Sequence, residues 1–426
     1  MSNKFYSVSK IKNHAIYKIA GIKFSVKLSG NIEAEIKESN HSYKNIIERI
    51  KNKNKIRVAF YVYEIAKWKT DSLIKLMNNS SRFEPFVVIG ITPGRAITYT
   101  KSYKIERLKK IADFFTNKGI KVEYGYDINH KKHIPLDKFK PDIVFYQQHV
   151  GNCEINDVGE VSKYALCCYV PYNVPNYGYV DHDYNEFCAK LFRFYCLNES
   201  LKKYYEEQKP FAQNIKEVGH TALDLFYKNK NKQTEEKYII YAPHFSIQHP
   251  NIINPFYYST FAQNNKLILE YAKKHSEYTW VFKPHPNLKE TLERMNLPQN
   301  IIEDYYNEWR NIGILCEDSD YFEYFVNSKT MLTDCGSFLT EYFCTGKPLI
   351  HMINTQSVNW PCKVMKPMYD CFYETHDNKE LIETLDQIIL HNNDYKKKVR
   401  QETLTSLNFI NQNAAQNIMN DLLSLF

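Results

Sequence analysis

No Cys-x-x-Cys pair, no long apolar run and no glycine-rich phosphate loop occurs in this 426-residue sequence. Its ten cysteines stand at 153, 167, 168, 188, 196, 316, 335, 344, 362 and 371, mostly inside apolar runs such as LCCYVPY and TEYFCTG. Without paired spacing they give no support to a zinc-ribbon or a thioredoxin-like site, and they are expected as buried, reduced small hydrophobes. No window approaches the roughly 18 apolar residues that span a bilayer. The opening MSNKFYSVSKIKNHAIYKIAGIKF lacks the continuous apolar stretch of a secretory signal, so a cytoplasmic protein is expected. Glycine is scarce at 13 and the 16 prolines are scattered, which excludes collagen-like and low-complexity chains. Neither G-x-x-x-x-G-K-[ST] nor G-x-G-x-x-G is present, so kinase, ATPase and nicotinamide-enzyme readings lose their usual anchors.

What is present fits a globular chain of two or three domains, with 43% hydrophobic and 24% charged residues. The charge is unevenly placed. Residues 1–55 hold twelve Lys/Arg against four acids, an excess equal to the whole net charge of +8. A nucleic-acid enzyme carries its basic surface on the folded domain, so no nucleic-acid partner is expected. A basic arm bearing Phe5, Tyr6, Tyr17 and Phe24 suits an anionic membrane surface or an anionic polymer; the plainer reading is a solvated extension.

From residue 56 onward, short apolar runs alternate with longer amphipathic ones. IRVAFYVY (56–63) reads as a buried strand, 66–79 as a helix, FVVIGI (86–91) as a strand and 102–118 as a helix ending at Gly119. IKVEYGY, DIVFYQQ and ALCCYVPY are further strands. After the polar run 228–237 the pattern restarts with YIIYAPHF, a helix over 258–275, YTWVFKPHP, NIGILCED, KTMLTDCG and PLIHMI, and 378–425 reads as helical. Strand–helix alternation implies parallel sheets, here two doubly wound α/β units with a cleft between them. The expected divisions are a basic extension 1–55, a first domain 56–215, a second 216–400 and a C-terminal helix 401–426.

Ligands of such sheets sit beyond the carboxyl ends of strands. Four post-strand positions carry chemistry: Gln147-Gln148-His149, Ala242-Pro243-His244, Lys283-Pro284-His285-Pro286 and Thr333-Asp334-Cys335-Gly336-Ser337. In the last, Ser337 reads as a helix N-cap after a turn at Gly336, and a helix N-terminus offers free N–H groups to an anion. Glu341, one turn on, is placed to accept hydroxyls. Lys283 and His285 suit a diphosphate whose leaving group needs charge stabilisation. His149 suits a general base, with Glu154 and Asp157 close enough in sequence to orient it. His182-Asp183 is a weaker pair, more in keeping with a polar loop. Glu317-Asp318-Ser319-Asp320 reads as a helix cap with first-turn acids rather than a metal site. No metal and no cofactor is expected.

These residues, in this order, resemble the CDP-glycerol glycerophosphotransferase family of teichoic-acid and capsule assembly. SKTMLTDCGSFLTEYFCTGKPLIHM is similar to the family's threonine–aspartate, serine, acid and lysine–proline segment at Thr333, Asp334, Ser337, Glu341, Lys347 and Pro348. YAPHFS (241–246) and the histidine of FKPHP fall on its strand ends. EVGHTALD (217–224) is similar to the segment that crosses between domains in GT-B proteins and epimerases. The sequence departs from the family at His149-Val150-Gly151-Asn152, where members show histidine–glycine–threonine, at Gly336-Ser337 for tandem serines, and at Glu341 for an aspartate. The resemblance implies a GT-B-like α/β fold of two Rossmann-like domains. It implies transfer of glycerol phosphate or a related alditol phosphate from a CDP-activated donor to a membrane-linked or capsular glycan; a peripheral place at the inner face of the cell membrane is an expectation from the basic arm alone. His149 and His285 are then catalytic, and Lys283, His244, Asp334, Gly336, Ser337 and Glu341 hold the donor nucleotide. A nucleotide-sugar glycosyltransferase is the nearest alternative; a nucleotide-sugar 2-epimerase and a non-catalytic acceptor-binding subunit are more distant ones.

Overall fold

The computed structural model describes residues 6–11, 14–19, 22–27, 32–149, 151–173, 182–208, 214–232, 234–247, 257–317, 320–357 and 362–426; residues up to 33, 182–185 and 208 are described by backbone alone. Strands β1 (Tyr6–Ile11), β2 (His14–Ile19) and β3 (Ile22–Lys27) form an antiparallel meander. The helix Ile32–Lys51 follows.

That helix corrects the expectation of a basic extension running to residue 55. Tyr43, Ile46 and Ile50 recur at the i, i+3, i+7 spacing of an apolar stripe and are buried. The Tyr43 hydroxyl donates to the Lys190 carbonyl at 2.6 Å. Arg49 and Lys53 lie 3.4 and 2.6 Å from Asp142 Oδ1, so part of the basic run is bound to the fold itself.

The first unit contains β4 (Ile56–Val62), β5 (Phe83–Ile89), β6 (Val122–Tyr124), a small hairpin of β7 (Tyr126–Asp127) and β8 (Lys132–His133), then β9 (Ile143–Tyr146), β10 (Leu166–Tyr169), β11 (Arg193–Cys196) and β12 (Ile215–Glu217). Its parallel sheet has the order β12-β11-β10-β9-β4-β5-β6. Every residue of β4 except Arg57 is buried, which is why that strand reads as a continuous apolar run rather than an alternating one. The second unit contains β13 (Tyr238–Ala242), β14 (Thr279–Phe282), β15 (Gly313–Leu315), β16 (Ser328–Thr333), β17 (Leu349–Met352) and β18 (Tyr373–Thr375), parallel in the order β15-β14-β13-β16-β17-β18.

Each sheet reverses its winding beside its first strand. In the first unit the reversal falls between β4 and β9, in the second between β13 and β16. Crevices open outside the carboxyl ends of strands at such points. The loops after β4, β9, β13 and β16 are therefore the ones the topology makes available to a ligand.

One apolar cluster runs from the first unit through to the inner side of the second sheet, including Phe60, Phe145, Val281, Leu339 and Phe343. A second lies under its outer helices around Tyr241, Trp280, Phe282 and Trp309. The C-terminal helix Ala414–Leu423 returns to the first unit, where Asp421 accepts from Arg193 and from Tyr195, both at 2.9 Å. Asp224 of the crossing segment accepts from Ala414 and Ala415 at the start of that helix, and from Ser72 at 2.6 Å. Gly219 has φ +90, and a Cβ there would stand 3.2 Å from the side chains of Ala414 and Gln412, so the turn requires glycine. All ten cysteines are buried and none forms a disulfide. Among the described residues no helix is long and apolar enough to cross a membrane.

Candidate active site

The second unit builds its wall around Asp334, just past β16. Its Oδ1 accepts from the His244 amide at 2.6 Å, and its Oδ2 from the Thr260 amide and hydroxyl at 2.5 and 2.9 Å. The side chain is 2% exposed. Burial pushes its pKa from 3.8 up to about 6, against the pull of the Thr260 and His244 donors. Asp334 was expected to hold the nucleotide; its geometry is that of a staple joining the loop after β13, the start of the helix Phe261–Lys274 and β16.

The loops after β13 and β14 present two imidazoles. His244 and His285 stand with ring centroids 4.7 Å apart. His285 Nδ1 accepts from the Asn287 amide at 3.1 Å, and His244 Nδ1 from the Ser246 amide at 3.2 Å. Both rings therefore carry their proton on Nε2 and are neutral. Burial holds His244 well below the usual histidine range, with His285 adding to the effect. Burial, then the Lys283 and Lys67 cations, bring His285 down to about 4. His285 thus offers an Nε2–H donor at neutral pH rather than the positive charge expected of it. Lys283 is buried, with its ammonium 5.5 Å from the Tyr321 ring centroid.

The helix Gly336–Phe343 begins two residues earlier than expected. Its N-cap is Cys335, so Ser337 lies inside the first turn, its Oγ 3.2 Å from Cys335 Sγ. Gly336 takes no left-handed conformation; the positive-φ glycines among the described residues are 119, 151, 219 and 346. Glu341 does not stand open for substrate hydroxyls. It accepts from Lys69 of the first unit at 2.8 Å and from the Tyr321 hydroxyl at 2.6 Å, and Lys69 also donates to Tyr321 at 2.9 Å. Burial works against the Lys69 charge, but Glu341 and Tyr321 more than offset it and raise its pKa above the ordinary value.

The first-unit wall comes from the loops after β4 and β9. Gln147 Oε1 accepts from the Tyr63 and Glu64 amides at 2.8 and 3.1 Å, tying the two loops together. Gln148 Oε1 accepts from Lys67 at 2.7 Å. Burial, with Arg107 assisting, lowers the Lys67 pKa to about 8. Since Lys67 is also one of the cations that depress His285, the two walls share one positive field. His149 follows Gln148, half-buried, with its ring centroid 6.5 Å from that of Phe187. Glu154 and Asp157 have other places: Asp157 caps the short helix Val158–Val161 by accepting from the Glu160 amide at 3.0 Å, and Glu154 is exposed. The side chains of His182 and Asp183, and residues 318–319, lie outside the described residues.

Lys67, Lys69 and Tyr321 are absent from the sequence-derived set. The two lysines lie just past β4, where the strand-end rule points. They were covered by the helix expected over 66–79, whereas the structure has a short 3-10 turn at Ile65–Lys67 and a helix only from Asp71 to Asn78.

No family profile matches the chain, and no curated protein matches it. Solved structures do. The UDP-GlcNAc 2-epimerase of Neisseria meningitidis bound to UDP-GlcNAc superposes with a TM-score of 0.54 at 16% identity, over 87% of this chain and all of that one. The S. aureus MnaA–UDP complex gives 0.56 at 13% identity, over 88% of this chain and 98% of that one. The wall teichoic acid polymerase TagF gives 0.53 at 12% identity, over 92% and 97%. The fold is GT-B-like: two Rossmann-like units facing a cleft. It is shared by an epimerase and a polymerase alike, so the reaction has to be argued from the site.

Proposed function

We propose that this chain is a nucleotide-dependent transferase of surface-polysaccharide assembly, moving a glycerol-phosphate or related alditol-phosphate group from a CDP-activated donor to a glycan hydroxyl. The observation that carries the reading is the cleft's two lysines, Lys67 and Lys283, drawn from both units: with burial they hold His285 neutral, and burial with Arg107 lowers Lys67 itself. Such a site is stabilised by an anion, and a diphosphate supplies one. In this reading the diphosphate lies against Lys283 and Lys67, with the Nε2–H groups of His285 and His244 and the first amides of the helix Gly336–Phe343 donating to its oxygens. An acceptor hydroxyl attacks the β-phosphorus and gives its proton to His149. The bond to CMP breaks, and CMP leaves with its charge held by the two lysines. Positioning and charge stabilisation supply the rate. The 12–16% likeness to enzymes whose ligands are UDP-GlcNAc and UDP, and to a teichoic acid polymerase, supports a nucleotide-linked substrate. A membrane-linked or capsular acceptor remains part of the proposal.

The test is calorimetric titration with CDP-glycerol, CDP, UDP and GDP without added divalent metal, followed by product analysis. Cytidine ligands bind selectively, and a phosphodiester forms that His149→Ala abolishes while donor affinity persists. Binding of UDP alone, with epimerised or transferred sugar as product, overturns the assignment of the donor. Full turnover by His149→Ala removes that residue from the mechanism.

A further inference from the structure

Beyond the Asp334–Thr260 staple, past the carboxyl ends of β17 and β18, lies a recess of about 80 Å³ between those strand ends and the starts of the helices Phe261–Lys274 and Asn378–Leu385. Thr260, Asn264, Asn354 and Thr375 stand in its wall over apolar Met352 and Leu381, and no lysine or arginine lines it. Asn264 is 5% exposed. Its Nδ2 donates to Thr260 Oγ1 at 3.0 Å, while its buried Oδ1 has no hydrogen-bond partner. The amide cannot relieve this by turning over. The Thr260 hydroxyl is committed as a donor to Asp334, so a flipped amide would face it oxygen to oxygen. A buried carbonyl oxygen in this state is costly until a donor reaches it.

We propose that this recess binds a neutral, hydroxyl-rich group, a sugar or polyol, with one O–H donating to Asn264 Oδ1. Amide and hydroxyl side chains over an apolar floor match the mixed faces of such a group. The Asp377 carboxylate in the lining and the absence of lysine and arginine disfavour a phosphate, and the imidazole of His376, which also lines the recess, is paired with Glu380 at 3.0 Å. The assignment is independent of the proposed reaction. The recess and the cationic cleft share only the Asp334 staple, and each fails separately.

The full chain is titrated with D-glucose, N-acetylglucosamine, ribitol and glycerol by saturation-transfer NMR and calorimetry, with inorganic phosphate as the anionic control. At least one neutral probe binds, Asn264→Leu weakens it by about tenfold, and phosphate does not compete. Gln263→Trp, an exposed position at the mouth of the recess, abolishes probe binding with the melting temperature and nucleotide affinity unchanged. If Asn264→Leu does not fold, Gln263→Trp decides alone. Absence of binding by every probe, unchanged affinity in Gln263→Trp, or displacement by phosphate overturns the assignment. Loss of nucleotide binding with the sugar response intact overturns the cleft reading instead.

Discussion

The two walls of the cleft are built by opposite means. The second-unit wall is fixed from within: one buried carboxylate, Asp334, gathers the backbone amides of His244 and Thr260, and the Pro243 carbonyl in turn accepts from the His285 amide at 3.0 Å. The first-unit wall carries its chemistry on long side chains, with Lys67 held by Gln148 and Lys69 reaching across to Glu341 and Tyr321. Backbone amides held by a buried acceptor do not rearrange when a ligand arrives, whereas lysine stems swing at little cost. The second wall is thus the more rigidly set, while each wall carries a lysine, Lys283 on the second and Lys67 on the first. Glu341 and Asp334 make the difference plain. They stand seven residues apart on one strand–turn–helix segment, yet one closes the cleft and the other shapes its floor.

The largest effect expected from breaking this arrangement is at the cross-cleft pair. Lys69 and Glu341 side chains are 15% and 4% exposed. Lys69→Met leaves a carboxylate buried without its cation, and removal of one partner from such a pair costs about 3–5 kcal/mol. Lys69→Met with Glu341→Gln recovers most of that, which a double-mutant cycle in urea measures. A single-variant loss below about 1 kcal/mol, the scale of a surface pair, would show that the walls are not held together here.

Asp334 comes next, and its signature is a pH slope. Its folded-state pKa of about 6 exceeds the ordinary 3.8, so between those values the folded protein binds more proton than the unfolded chain. Stability therefore falls as pH rises from 4 to 6, by about 3 kcal/mol in all. Asp334→Asn cannot titrate and flattens that segment of the profile, while its amide hydrogens clash with the donors of His244 and Thr260 and lower stability throughout. Parallel profiles for the two proteins would assign the slope to another group.

The strands were legible in the sequence because parallel strands covered on both faces read as unbroken apolar runs, and 56–63 and 238–245 contain β4 and β13 as found. The positions of His149, His244, Lys283 and Asp334 followed from strand ends. Their partners did not. Asp334 and Glu341 look alike as acids near a helix start, and nothing local reveals that Lys69, 272 residues away, binds one of them. The helix Ile32–Lys51 was hidden by composition, its many charges outweighing the spacing of Tyr43, Ile46 and Ile50. The run IAKWKTDSLIKLMNN has helical periodicity throughout, so the extended backbone at Trp68, which turns Lys67 and Lys69 into the cleft, is a tertiary outcome.

Lys67 gives the smallest and most diagnostic effect. Its pKa of about 8 marks a cation held where burial and Arg107 disfavour it. In the ligand-free protein it is therefore a destabilising charge at pH 7, and Lys67→Met raises the unfolding midpoint. A bound diphosphate reverses the balance and draws the pKa upward. Above pH 8 the free protein must take up a proton to bind, so donor affinity falls with pH at up to about tenfold per unit. Lys67→Met loses about ten- to a hundredfold in affinity at pH 7, the scale of one hydrogen bond to a charged group, and has no slope above pH 8. Calorimetry at several pH values in buffers of different ionisation enthalpy reads both the slope and the proton uptake. A variant that is more stable, binds more weakly and has lost the slope places the titrating charge on the first wall; an unchanged slope moves it to the second.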